Sequence, residues 1–210
     1  SYVLEEVLQH DVQLETSSAF DIDLILNLYK NGKIDKERII VNNGFKTKQY
    51  LHNIANLINS GFKNVIPVID NKFEFDSYEQ MVHKKTKMGI RVATEEEPMF
   101  EFYTSRLGIR SSEIVQFCKD RFTNHSKFEL NMLHFFVDTG IKDTTYYWGE
   151  LKKGIKTYIE LKKNFSSLQA INIGGGLPIR NSLGFEFDYK YMIHQIVQLL
   201  KEACEEENIE

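Results

Sequence analysis

Three consecutive glycines, Gly174-Gly175-Gly176, end an apolar run that begins at Ile171 and give way to Leu177-Pro178. Residues without a Cβ let a chain turn sharply and aim successive backbone N–H groups at an anion. A strand leaving through such a turn can hold a phosphate. The same composition also serves as a plain connection between strand and helix, and the pattern is neither GxGxxG nor a P-loop. Other residues capable of chemistry sit where apolar runs end: Glu15-Thr16-Ser17, Asn42-Asn43-Gly44, Asp70-Asn71, Arg91, and the segment from His134 to Thr139. Together they offer a carboxylate, a guanidinium, an imidazole, hydroxyls and an anion nest. Arg91 falls inside a strand pattern, where burying a charge is costly unless it is paired. It is read as turned inward onto a partner such as Glu15 or a bound anion. His134, in an apolar strand, reads first as a hydrogen-bonded core histidine and second as a site residue. The run Glu95-Glu96-Glu97-Pro98 reads as an exposed acidic loop.

These residues need elements to position them. Helical spacing over Tyr2 to Leu8 is followed by a short strand at 12–16, a helix over 20–29 with Ile22, Ile25, Leu28 and Tyr29 inward, and a strand at 38–42. A helix carrying Tyr50, Leu51, Ile54, Leu57 and Ile58 leads to a strand at 65–69. A helix near 76–85, a strand at 89–93, a helix through Phe117 and Cys118, and a strand at 129–137 come next. The helix over 145–163, the run before the glycines, and a helix over 188–205 complete the series. Repeated strand–helix units imply parallel strands joined by right-handed crossovers. An open doubly wound sheet and an incomplete eight-stranded barrel both fit, and both place the site at the carboxyl ends of the strands.

Composition narrows the partners. A chain of 210 residues with 42% hydrophobic and 27% charged residues is ordinary for one soluble domain. A net charge of −4 points away from nucleic acid and anionic membranes. Cys118 and Cys204 lack metal-ligand spacing and read as reduced thiols in a cytoplasmic protein. No HExxH, paired CxxC or GxSxG occurs, which argues against zinc proteases and serine hydrolases, and no metal site is assigned.

The order of motifs resembles the PLP-binding barrel of the biosynthetic arginine decarboxylases, in the fold-type III group with ornithine and diaminopimelate decarboxylases and alanine racemase. The matching stretches are Leu14-Glu15-Thr16-Ser17-Ser18, Val41-Asn42-Asn43-Gly44-Phe45-Lys46, Gly89-Ile90-Arg91-Val92, Ser105-Arg106-Leu107-Gly108, Leu133-His134-Phe135-Phe136 and the triple glycine. The resemblance implies an α/β fold, a (β/α)8 TIM-like barrel that is incomplete, with about six βα units and the first and last strands missing, over a single partial domain at residues 1–210. It implies pyridoxal 5'-phosphate as cofactor, with Gly174, Gly175 and Gly176 receiving its phosphate and Arg91 and Glu15 beside its ring. Family members read H-x-H-x-G-S where this chain has His134-Phe135-Phe136-Val137-Asp138-Thr139. Phe136 falls on the histidine that stacks against the ring and Thr139 on the serine that meets the phosphate; a phenyl ring can stack, and threonine keeps the hydroxyl.

The lysine that forms the Schiff base with the cofactor is expected before Ser1, and the remaining catalytic residues beyond Glu210. No lysine of this chain is assigned that role, so no catalytic residue is assigned, and the 210 residues alone are expected to be inactive. The resemblance implies an amino-acid decarboxylase acting on arginine, giving agmatine and CO2 in polyamine and spermidine biosynthesis, cytoplasmic and homodimeric. Two other readings stand beside it: a non-catalytic PLP-barrel homologue, suggested by Phe136 and Asp138, and an unrelated phosphate-binding isomerase or aldolase barrel.

Overall fold

The computed structural model describes residues 2–94, 107–137, 140–142, 144–179 and 186–209. Among them the elements alternate: α1 (Tyr2–Val7), β1 (Leu14–Thr16), α2 (Ala19–Lys30), β2 (Ile40–Asn42), α3 (Lys48–Asn59), β3 (Val65–Ile69), α4 (Lys72–Met81), β4 (Thr86–Arg91), α5 (Ser111–Phe122), β5 (Phe128–His134), α6 (Thr145–Asn164), β6 (Ala170–Asn172) and α7 (Tyr189–Glu206). They gather into two compact units, one built from residues up to Arg91 with Phe122–Asn131, the other from Val92–Arg121 and the residues from Met132 onward.

In the first unit, β1, β2, β3 and β4 hydrogen-bond in chain order, with the start of β5 beyond β4. Leu14, Ile40 and Val65 share one row and Thr16, Asn42 and Pro67 another, all in parallel register. Because side chains alternate along a strand, Thr16 faces the helices, where its Oγ1 lies 2.7 Å from the Tyr50 hydroxyl of α3. Glu15, Val41 and Ile66 take the opposite face. Asp21 opens α2 by accepting from the backbone N–H groups of Ser17 and Ser18, at 2.8 and 2.9 Å, and Thr47 caps α3. All five apolar residues expected to face inward from α3 are buried. On α2 the stripe narrows to Ile22, Ile25 and Leu28, while Tyr29 is partly exposed and meets Phe62 edge-on.

Two boundaries differ from expectation for a local reason. Asn71, read as a loop residue, caps α4 by accepting from Glu74 N–H at 3.0 Å, so the helix starts four residues before Asp76. β4 starts at Thr86, whose N–H donates to the Lys127 carbonyl, so Arg91 is its last residue rather than a central one. Phe75 of α4 packs edge-on against Phe122, His125 and Phe128. The His125 ring fixes that corner, with Nδ1 accepting from the Lys127 and Phe128 N–H groups and Nε2 facing Glu79.

In the second unit the end of β5 pairs with β6 in parallel, Met132 with Ala170 and His134 with Asn172. Tyr147, Leu151, Tyr158 and Leu161 form the buried side of α6. On α7, Met192 is buried and Val197 is exposed. Gly154 lets α6 approach Phe135, since a Cβ there would lie 2.5 Å from that ring. Alanine normally favours a helix interior over glycine by about 1 kcal/mol. Gly154→Ala should instead lower unfolding free energy by about 2 kcal/mol through overpacking, and adding Phe135→Leu should recover most of it in urea melts. Both cysteines are free thiols. No helix among the described residues is long and apolar enough to cross a membrane.

Candidate functional site

The glycine turn after β6 belongs to the second unit, and its three glycines have different reasons to be glycine. Gly174 has φ +74° and Gly176 has φ +103°, in the region that side-chain-bearing residues disfavour. A Cβ on Gly174 would stand 2.7 Å from Phe136 Cδ2, and one on Gly176 2.8 Å from the Gly140 Cα. Gly175 has neither constraint, since a Cβ there would meet nothing within 4 Å. The fold therefore demands the outer two glycines, while the middle one leaves an open cradle that a side chain would fill.

The turn is fastened on both sides. Asn172 Oδ1 accepts from Gly174 N–H at 2.9 Å, which leaves donation to an anion to the N–H groups of Gly175 and Gly176. The Gly176 carbonyl accepts from Ile141 N–H at 3.0 Å. Gly140, with φ +75°, would place a Cβ 2.8 Å from that same carbonyl oxygen. The turn after β5 is thus pressed against the turn after β6. Gly140 stands in the sequence as the end of a strand loop, and nothing local in Asp138-Thr139-Gly140 identifies its partner.

Phe136 is half-buried against Gly174, so the expected stacking residue and the cup are brought together. His134, the last residue of β5, is fully buried, and its carbonyl accepts from Val92 N–H. Thr139, Asp138, Ser105, Arg106 and Glu95 to Glu97 lie outside the described residues.

Glu15 and Arg91 belong to the first unit and share one face of its sheet. Glu15 is exposed and accepts from Asn43 Nδ2 at 3.1 Å. Arg91 is buried, and its charge acts on the carboxyl of Asp70 at the adjacent strand end. Around Asp70 lies a polar cluster that sequence reading missed. Lys46 and Glu74, both fully buried, pair at 3.2 Å; Lys46 also donates to the Gly44 carbonyl, and Glu74 accepts from Asp70 N–H at 3.0 Å. The available signal was a lysine directly after an Asn-Asn-Gly turn and a glutamate in the first turn of a helix, each ordinary alone.

Burial raises the pKa of both Asp70 and Glu74, with the Lys46 charge opposing it in each. A carboxyl raised in the folded state adds stability while protonated and loses it as pH climbs from its unfolded value through the folded one. Their unperturbed values are 3.8 and 4.5. Acidification from neutral pH toward that range should therefore stabilise the native protein relative to an Asp70→Asn, Glu74→Gln variant. Urea melts of the two proteins across that window check the sign.

The whole chain, residues 1–210, matches the family model described as pyridoxal-dependent decarboxylase, pyridoxal binding domain. The biosynthetic arginine decarboxylase of Prochlorococcus marinus strain AS9601 is 26% identical over 226 residues, covering 99% of this chain and 34% of the relative. The chain thus spans about a third of the length of the curated relatives it matches over almost its whole length. Among solved structures, the biosynthetic arginine decarboxylase of Campylobacter jejuni superposes with a TM-score of 0.67 at 20% identity, covering 94% of this chain and 32% of that one. The diaminopimelate decarboxylase of Helicobacter pylori, complexed with L-lysine, gives 0.70 at 16%, covering 95% and 50%. The fold is therefore the incomplete (β/α) barrel expected from the motif order, and the open doubly wound sheet and the unrelated aldolase or isomerase are set aside. This chain belongs to the pyridoxal-binding domain family of the pyridoxal-dependent decarboxylases.

Proposed function

We propose that the protein is a PLP-dependent decarboxylase acting on arginine, yielding agmatine and CO2 for polyamine and spermidine biosynthesis. Residues 1–210 form one partial barrel domain of it. The observation that carries this reading is Gly175, the one glycine of the triple-glycine turn that neither a positive φ nor a neighbouring described atom requires. An open cradle lined by backbone N–H groups suits a phosphate, and the family supplies the phosphate's identity. The residues present fit the cofactor: Gly175 and Gly176 bind its phosphate, Gly174 shapes the turn, Thr139 adds a hydroxyl, Phe136 stacks on the ring, and His134 supports the strand behind it. Arg91 and Glu15 enter through the family pattern as ring-side polar groups. When bound, PLP supplies an electron sink for the bond broken as CO2 leaves; the protein's own groups bind and orient it.

Arginine as substrate rests on curated relatives named biosynthetic arginine decarboxylase. A homodimer in the cytoplasm completes the proposal. The test is radiometric: the intact protein, given PLP, is offered carboxyl-labelled arginine, ornithine, lysine and diaminopimelate. Label should be released fastest from arginine. Release from another of the four would correct the substrate, and release from none would leave a non-catalytic homologue, the reading that Phe136 and Asp138 favour. In that case Phe136→His with Asp138→Gly should stay inactive, whereas an impaired enzyme should gain rate.

A further inference from the structure

In the second unit, α6 and α7 lie side by side and run in the same direction. Trp148 near the start of one and Tyr191 near the start of the other line one hollow between them, and Lys163 meets Glu207 at 2.6 Å where both helices end. A second hollow shares Lys152, Leu199 and Glu202 with the first, so the two form one continuous groove. Its floor is apolar, with Ile155 and Ile159 from α6 and Leu199 and Ala203 from α7. The hollows measure about 420 and 310 Å³, against about 30 Å³ for a water molecule, which is room for the side chains of a partner. The walls carry opposite charge. α6 presents Lys152 and Lys156, one turn apart, and α7 presents Glu202 and Glu206, also one turn apart. Like charges at that spacing oppose each other along a helix. None of the four has an ion-pair partner among the described residues.

A basic wall and an acidic wall of equal charge and equal spacing make this surface complementary to itself. We propose that the groove is an interface with a second copy of the chain, related by a two-fold axis running along the groove. That axis lays α6 of one copy over α7 of the other on both walls, so that two lysines meet two glutamates twice over. An axis across the groove would set lysine over lysine and glutamate over glutamate. The apolar floor becomes the centre of the contact and the charges become its rim, which is the usual anatomy of an interface. Trp148 and Tyr191 at one end are residue types that carry binding energy in such contacts. The inference rests on the proposed homodimer and on nothing in the proposed chemistry, so assembly and decarboxylation can fail separately.

The test is sedimentation velocity of the intact protein at low ionic strength, where exposed charges are least screened. Native protein should self-associate. Lys152→Glu with Lys156→Glu makes both walls acidic, and Glu202→Lys with Glu206→Lys makes both walls basic. Each variant alone should raise the dissociation constant at least about tenfold, since four pairs turn from attraction to repulsion. Mixed in equal amounts, the two variants should associate with native affinity, because every lysine then faces a glutamate. Unchanged association of either variant would assign the homodimer to another face and overturn the proposal. A mixture that associates no more tightly than its components would overturn it as well, and so would native protein that stays monomeric. A monomer that still releases CO2 would remove the homodimer and leave the decarboxylase standing. Should either variant fail to fold, all four exchanges are made in one chain, which keeps its net charge. That protein should self-associate as native protein does, and loss of its association would overturn the proposal.

Discussion

Gly176→Ala should lower unfolding free energy by about 3 kcal/mol and abolish phosphate binding, whereas Gly175→Ala should move stability by less than about 0.5 kcal/mol. The contrast follows from the geometry of the turn. At Gly176 the new methyl group meets backbone, the Gly140 Cα at 2.8 Å, and the φ of +103° opposes any side chain. Backbone cannot move aside as a flexible side chain can, so either the turn after β6 or the turn after β5 must shift. The hydrogen bond from Ile141 N–H to the Gly176 carbonyl would then be lost with it. At Gly175 no contact forms and no strained dihedral is imposed. A methyl group there occupies only the cradle, so its effect belongs to the ligand. Urea denaturation of the two variants, compared with native protein, separates the glycine that the fold needs from the one the site needs.

Lys46→Met should destabilise the protein by about 3–5 kcal/mol, because it strands a buried carboxylate. The Lys46 ammonium is completely enclosed and the Glu74 side chain is 1% exposed. Two charges so placed have lost their hydration and are held by each other, with one further bond apiece to backbone, Lys46 to Gly44 and Glu74 to Asp70. Removing both ends, in Lys46→Met with Glu74→Leu, should restore most of the loss, since an apolar pair of similar volume has no desolvation cost to recover. The double-mutant cycle in urea melts reads the coupling. Additive losses would show that the pair stabilises nothing beyond its individual contacts.

How far the sequence could be read depended on whether the deciding interactions were local. The α3 stripe of Tyr50, Leu51, Ile54, Leu57 and Ile58 is a helical period with a threonine cap, and it folds as its spacing dictates. The triple glycine was equally visible, as was the strand that feeds it. The start of α4 was missed because Asn71 was read as the start of a loop, when the same side chain caps a helix. Gly140 and Asp70 were beyond reach for another reason. Each matters through a residue distant in sequence, Gly176 for one and Lys46 with Arg91 for the other. Arg91 was expected to turn inward onto a partner such as Glu15 or a bound anion, and it is buried with its charge acting on the Asp70 carboxyl. The division of labour among the three glycines is likewise a property of their contacts, since as letters they are identical.

The most direct measurement compares pyridoxamine 5'-phosphate with pyridoxamine, which carry no aldehyde to react with surface lysines. Binding of each to the native protein and to Gly175→Val is followed by calorimetry. The glycine cup predicts that the phosphate ester binds native protein at least about a hundredfold more tightly than the alcohol, a difference of about 3 kcal/mol that charge-assisted bonds to two backbone N–H groups can supply. It predicts that Gly175→Val, folded and equally stable, erases that preference. Equal affinity of native protein for the two compounds, or an undiminished preference in Gly175→Val, would contradict it.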